Sequence, residues 1–230
     1  MQRHDYPDRE ALAIALAAGI AATLAGAISE RGEASLAVSG GSTPRKLFEV
    51  LAETAIPWDR VTVILVDERI VPPGSDRANQ RMVRERLLQG RAGEAHFVPF
   101  ETGLATPEAN AARSDELLGG VPWPLDAAVL GMGTDGHTAS FFPHGDRLGD
   151  ALDPAGRNRV VPIRAEGAGE PRLTLTLPVL LDARFLALHI EGEEKRGVLD
   201  TALAGTDPRA MPVRAVLQQD RKPVHIFWAP

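Results

Sequence analysis

Residues 61–66 read V-T-V-I-L-V. A near-continuous apolar run of that length predicts a strand buried on both faces, the kind found inside a parallel sheet. It stops at three charges, Asp67-Glu68-Arg69. Two shorter apolar runs stop in the same abrupt way. Ala34–Val38 ends in Ser39-Gly40-Gly41-Ser42-Thr43-Pro44, and Ala127–Leu130 ends in Gly131-Met132-Gly133-Thr134-Asp135-Gly136-His137. Open α/β sheets place their chemistry where buried strands end in glycines and polar side chains.

Between these runs the periodicity changes to that of helices. In 8–31, Leu12, Leu16, Ile20, Leu24 and Ile28 recur every four residues and mark one buried face. A helix is expected from about Pro44 to Thr54, with Thr43 as N-cap and Pro44 at the first helical position. Ser75 or Asp76 is expected to cap a helix carrying Asn79, Met82, Val83, Leu87 and Leu88. Thr106-Pro107 opens another that runs to about Leu118, after a short strand at 96–100, and Thr138 opens a short one. Residues 144–157 read as a surface loop that could move over a site, and 165–170 as a flexible loop. Strands are expected at 159–163, 171–176 and 184–190, with a turn or short helix at 177–181. A helix then runs from about Gly192 to Leu203, and 213–217 and 224–228 are expected as closing strands. The alternation predicts an α/β fold: a mostly parallel, doubly wound (Rossmann-like) sheet with helices on both faces. A small mixed β portion is expected toward the C-terminus, and one domain spans 1–230.

Composition narrows the chemistry. There is no cysteine, which excludes disulfides, thiolate metal sites and cysteine nucleophiles. No apolar run approaches the ~20 residues of a membrane span, and the charged N-terminus is unlike a signal peptide, so the expected location is cytoplasmic. The net charge of −6 argues against a nucleic-acid partner. Of 25 basic residues only Lys46, Lys195 and Lys222 are lysines, leaving 22 arginines. An acidic chain that binds an anion must focus its cations locally.

Three stretches can do so. Strand, Gly-Gly turn and helix start at 38–45 is the geometry of an anion site, because free backbone N–H groups and the positive end of the helix dipole converge. Gly40, Gly41, Ser42 and Thr43 make a phosphate the natural guest, although the P-loop spacing is absent. Asp67 and Arg69 are expected to face one pocket. Lys195 lies in the first turn of a helix, where it opposes the dipole, so it needs another reason to be there. His137 can take and give a proton near neutral pH. Gly131, Gly133 and Gly136 fit G-x-G-x-x-G, but no following βαβ unit carries the acidic residue of a nicotinamide site. The histidines show no metal-ligand spacing, and no metal or cofactor is expected; His96 and His144 have no evident partners.

Five blocks, in order, carry a resemblance. They are S-G-G-S-T-P at 39–44, D-E-R-x-V-P at 67–72, G-x-G-x-D-G-H-T-A-S-x-F-P at 131–143, R-L-T-L-T at 172–176 and G-x-x-K at 192–195. Together they resemble the 6-phosphogluconolactonases over the chain from about residue 10 to the end. That family shares its fold with the glucosamine-6-phosphate deaminases. Those typically have tyrosine where Arg69 stands, and a catalytic glutamate where this chain has Phe142. The chain departs from the lactonase pattern at Ala78, Phe141 and His144, which bears on the loop after 143.

The resemblance implies hydrolysis of 6-phospho-D-glucono-1,5-lactone. His137 would be the general base that activates water and then the acid that protonates the leaving ring oxygen. Asp67 would hold or polarise the site near His137, with Asp135 as the alternative orienter. No G-x-S-x-G elbow is present, so a covalent acyl-enzyme is not indicated. Phosphate would rest on Gly40, Gly41, Ser42 and Thr43, with Asn79 in the binding set. Arg69, Arg172 and Lys195 would be shared between phosphate and oxyanion. A monomer is expected, with a small-molecule sugar-phosphate lactone as its partner. The competing readings are a sugar-phosphate deaminase or isomerase and a non-catalytic sugar-phosphate sensor.

Overall fold

A computed structural model describes residues 1–230. Seven strands form one sheet: β1 (Gln2–Asp5), β2 (Ala34–Val38), β3 (Val61–Leu65), β5 (His96–Val98), β6 (Ala127–Leu130), β9 (Phe185–Glu191) and β10 (His225–Ala229). Their order is β1-β10-β9-β6-β2-β3-β5, and every neighbouring pair is parallel. From β2 the chain builds outward through β3 to β5, then returns to the other side with β6, β9 and β10. The order therefore reverses between β2 and β6, where an open α/β sheet leaves a crevice at its carboxyl edge.

Strand alternation divides the core. Leu36, Val38, Val61, Val63, Leu65 and Val129 face α1 (Arg9–Arg31), α2 (Arg45–Glu53) and α3 (Asn79–Arg86). Ala37, Ile64, Ala128 and Leu130 face the opposite way. They meet α4 (Pro107–Leu117), α5 (Leu148–Leu152), α6 (Leu177–Asp182), α7 (Glu193–Ala204) and α8 (Val213–Leu217). A second sheet, β4 (Asp67–Arg69), β8 (Arg172–Leu175) and β7 (Val160–Ile163), is antiparallel and drawn from both halves of the chain.

The first helix follows its periodicity. Asp8 caps it by accepting from the Ala11 N–H at 2.8 Å, and Gly32 at φ 84° ends it. Leu12, Leu16, Ile20 and Leu24 are fully buried, each worth ~1.5–3 kcal/mol against exposure. The same helix corrects the expectation that no apolar run approaches a membrane span. Arg9–Arg31 has 23 residues and a window of mean hydropathy 2.2, long and apolar enough by composition. In the fold Leu12, Leu16, Ile20 and Leu24 pack on the sheet, Ile14 is exposed, and the remaining positions are mostly alanine and glycine.

Other local expectations also change. Residues 213–217 are helix α8, not a strand. Pro212 precedes the first turn, and Val213, Val216 and Leu217 share one buried helical face. Residues 138–141 close a tight turn through the Phe141 N–H to the Thr138 carbonyl, 2.9 Å, rather than opening a helix. The 144–157 loop contains α5, and Gln2–Asp5 adds an edge strand. Neither Ser75 nor Asp76 caps α3, and Thr43 does not cap α2; the N-cap positions are Ala78 and Pro44.

Candidate active site

The crevice between β2 and β6 opens into a cavity of about 320 Å³. Residues 40–43, Asp67, Arg69, Asn79, His137, Arg172 and Lys195 line it, whereas Asp135 stands behind His137. All but Arg172 arrive from the carboxyl end of a strand or from the segment that follows it. Residues 39–44 follow β2, Asp67 and Arg69 follow β3, 131–142 follow β6, Arg172 opens β8 and Lys195 lies beyond β9.

The β2 loop is built to be open. Gly40 has no room for a side chain, because a Cβ there would lie 2.0 Å from Asn79 Oδ1. Gly41 has φ 93°, which glycine adopts without strain. No side chain caps α2, and the backbone N–H groups of Gly40, Gly41, Ser42 and Thr43 donate to no other atom of the chain. Thr43 thus stands one residue before the N-cap and leaves the helix N-terminus free for an anion.

The β6 loop holds a dyad. His137 Nδ1 lies 2.6 Å from Asp135 Oδ1, which also accepts the His137 backbone N–H at 3.0 Å. Burial raises the Asp135 carboxyl, but the hydrogen bonds from His137 outweigh it and leave the carboxyl below its ordinary value. The imidazole tilts against the Phe142 ring at 4.3 Å between centroids. Ala139 is held at φ 51°, a left-handed conformation unusual for alanine, in the turn between His137 and Phe142.

Asp67 does not bond to His137. Its Oδ2 accepts from the fully buried Ser140 hydroxyl at 2.6 Å. The carboxylate hydrogen-bonded to His137 is therefore Asp135, and Asp67 is a separate carboxylate on the cavity wall. The D-E-R triplet splits by strand alternation. Asp67 and Arg69 line the cavity while Glu68, on the other face, is fully buried. Glu68 accepts from the backbone N–H groups of Arg69, Asn79 and Gln80, each at 2.7 Å, and so caps α3 from outside the helix. Asn79 passes this order on. Its amide donates to the Asp67 carbonyl at 2.9 Å, and its Oδ1 accepts from Arg69 Nη1 at 3.0 Å.

Glu68 makes a pH prediction. Burial pushes its carboxyl up to about 7, from an ordinary 4.5, against backbone hydrogen bonds that pull it down. The folded chain therefore holds this proton more tightly than the unfolded chain does. The group's contribution to stability grows as pH falls from about 7 and levels off below 4.5. Melting temperatures of the wild type and Glu68→Gln across that window should diverge in favour of the wild type as pH falls. A constant difference would remove Glu68 from the pH dependence.

Three cations face the cavity. β4 pairs with β8 so that Arg69 stands opposite Arg172. Burial lowers the Arg172 guanidinium, and Asp67 supports its charge. Its Nη2 donates to the Ala168 carbonyl at 2.9 Å and it lies over the Phe142 ring, while Nε is buried without a partner. Burial lowers Lys195, and the charges of Glu194 and Asp135 oppose that shift. Two further residues enter the site without a signal in the sequence. His189, inside the apolar strand β9, lines the cavity with Nε2 3.1 Å from Glu191 Oε1 and Nδ1 unpartnered. Glu170, in the expected flexible loop, meets Arg69, Arg77 and Arg172. No group of three or more histidine, aspartate or glutamate side chains is placed to hold a metal ion.

Known proteins are similar to this chain over nearly its whole length. Residues 7–228 match the family described as glucosamine-6-phosphate isomerases/6-phosphogluconolactonase. A 6-phosphogluconolactonase of Mesorhizobium japonicum is 54% identical over 225 residues, 98% of this chain and 94% of its own. One from Rhizobium meliloti is 52% identical over 99% of this chain and 98% of its own. The crystal structure of a 6-phosphogluconolactonase from Shewanella baltica superposes with a TM-score of 0.97 at 42% identity, covering 100% of this chain and 98% of that one. The chain belongs to the glucosamine-6-phosphate isomerase/6-phosphogluconolactonase family.

Proposed function

We propose that this chain hydrolyses 6-phospho-D-glucono-1,5-lactone to 6-phosphogluconate, with His137 activating the attacking water and no covalent intermediate. His137, on the wall of a cavity that also holds the uncapped start of α2 and backed by Asp135 at 2.6 Å, carries this reading. A carboxylate only accepts, so the neutral imidazole keeps its proton on Nδ1 and offers the Nε2 lone pair to the cavity. Water attacks C1 as Nε2 takes its proton, and Asp135 stabilises the imidazolium that forms. The imidazolium then returns the proton to the ring oxygen as the C1–O bond breaks. Asp67, anchored by Ser140, has its second oxygen free to orient the water or a substrate hydroxyl.

The phosphate rests on Gly40, Gly41, Ser42 and Thr43, and Asn79 holds Arg69 toward it. Arg69, Arg172 and Lys195 supply positive charge to phosphate and oxyanion from the cavity wall. Direct water attack is supported by the state of Ser140. Its hydroxyl is fully buried on Asp67 and does not line the cavity, so it is not presented to a bound substrate as a nucleophile would be. Large exposed apolar side chains are limited to Met1, Ile14 and Leu104, which supports a monomer.

The competing deaminase reading needs a carboxylate where Phe142 stands, and that ring is buried against His137. The test follows the disappearance of freshly generated lactone against its spontaneous hydrolysis, alongside ammonia release from glucosamine 6-phosphate. Acceleration of the first without the second is expected. Ammonia release would favour the deaminase, and binding of 6-phosphogluconate without turnover would favour a sensor.

A further inference from the structure

We infer that Glu170 is a positioning residue, whose carboxylate gathers Arg69 and Arg172 and presents them to the anionic substrate. The inference takes its substrate from the lactonase reading above. Three arginines from three segments converge on this one side chain. Arg69 comes from β4, Arg77 from the loop before α3 and Arg172 from β8. Glu170 Oε1 lies 3.3 Å from Arg69 Nε and 3.9 Å from Arg172 Nη2, and Oε2 pairs with Arg77. Glu170 and Arg172 side chains are each only 11% exposed. At such depth the Glu170–Arg172 contact acts through a lower dielectric than a surface pair, whereas Arg77 is exposed. Without the central carboxylate, like charges repel and the longer-reaching guanidiniums turn to solvent.

Two features separate positioning from plain structure. The arginines are held but not saturated. Arg69 Nη1 donates to the Arg77 carbonyl and to Asn79, whereas the buried Nε of Arg172 donates to nothing. Both side chains line the cavity, as does Gly167 of the loop that carries Glu170. Moreover, Oε1 is buried without a hydrogen bond of good geometry, so it holds its partners by charge and leaves their donors to a ligand. Segment 165–170 is thereby a strap tied to the cation cluster through Glu170 and through the Ala168 carbonyl.

The test is steady-state kinetics of Glu170→Gln and Glu170→Asp, with calorimetric binding of 6-phosphogluconate and melting temperatures alongside. Glu170→Gln is expected to raise KM and the product Kd roughly tenfold while kcat stays within about threefold, the pattern of lost ground-state binding. Glu170→Asp keeps the charge with a shorter reach and should recover part of that loss. An unchanged KM and Kd in a folded Glu170→Gln protein would overturn the inference. So would a lowered KM, because Glu170 would then be competing with the substrate for the arginines. Should Glu170→Gln fail to fold, Glu170→Asp decides by the same criteria. Product binding needs no turnover, so a wild type that binds 6-phosphogluconate but spares the lactone sinks the lactonase reading, and the Kd shift still judges Glu170.

Discussion

His137→Ala is expected to slow lactone hydrolysis by roughly two to four orders of magnitude, the contribution of a positioned acid–base group. The loss should fall on kcat. The phosphate loop at 40–43 follows a different strand from the β6 loop that holds the dyad, so KM for lactone and Kd for 6-phosphogluconate should change little. Asp135→Asn should fail in the same sense for a different reason. The amide oxygen can still accept from both the His137 backbone N–H and Nδ1–H, as Asp135 Oδ1 does, but it carries no charge to stabilise the imidazolium that forms. A His137→Ala enzyme that matches the wild type would transfer the role of base to Asp67, whose free oxygen also borders the cavity.

Much of this site can be read from the chain because its residues follow apolar runs too short for anything but strands. The sheet collects their carboxyl ends at one edge, so Gly40, Asp67 and His137 meet although they lie far apart in sequence. What escaped the sequence is what depends on facing. Asp67-Glu68-Arg69 reads as three equivalent charges until the strand's period of two sends Glu68 to the start of α3. Ser140 is one hydroxyl among several until the turn at 138–141 brings it onto Asp67. His189 is hidden by the apolar residues of its own strand, and Glu170 by a glycine-rich loop with no motif.

The fold shows the same limit. Residues 213–217 are apolar at four of five positions, a pattern that strand and helix share over so short a length. The tertiary setting decides, because Arg214 donates to the carbonyls of Thr201, Ala202 and Asp207 and ties the segment to the end of α7. Gln2–Asp5 has no apolar pattern at all; it is a strand because β10 offers it a parallel edge.

Gly133→Ala should cost activity nearly as much as loss of the histidine, while its two neighbouring glycines fail differently. A Cβ at 133 would lie 2.1 Å from His137 Nδ1 and 2.5 Å from Asp135 Oδ1. The backbone cannot yield easily, since the Gly133 N–H donates to the His137 carbonyl at 2.8 Å and its own carbonyl accepts from Gly136 at 3.1 Å. The dyad must therefore give way, and misplacing a catalytic group by about 1 Å costs on the order of 10²-fold in kcat. At Gly131 an added Cβ meets open space, so Gly131→Ala should keep the dyad and any effect should fall on KM. At Gly136 the φ of 78° strains alanine and the Cβ would lie 2.7 Å from Met211. Left-handed strain alone costs about 1–2 kcal/mol, so Gly136→Ala should lower the melting temperature. Measuring kcat, KM and Tm for the three variants separates these outcomes. A Gly133→Ala enzyme with wild-type kcat would show that the Asp135–His137 contact is not needed for turnover.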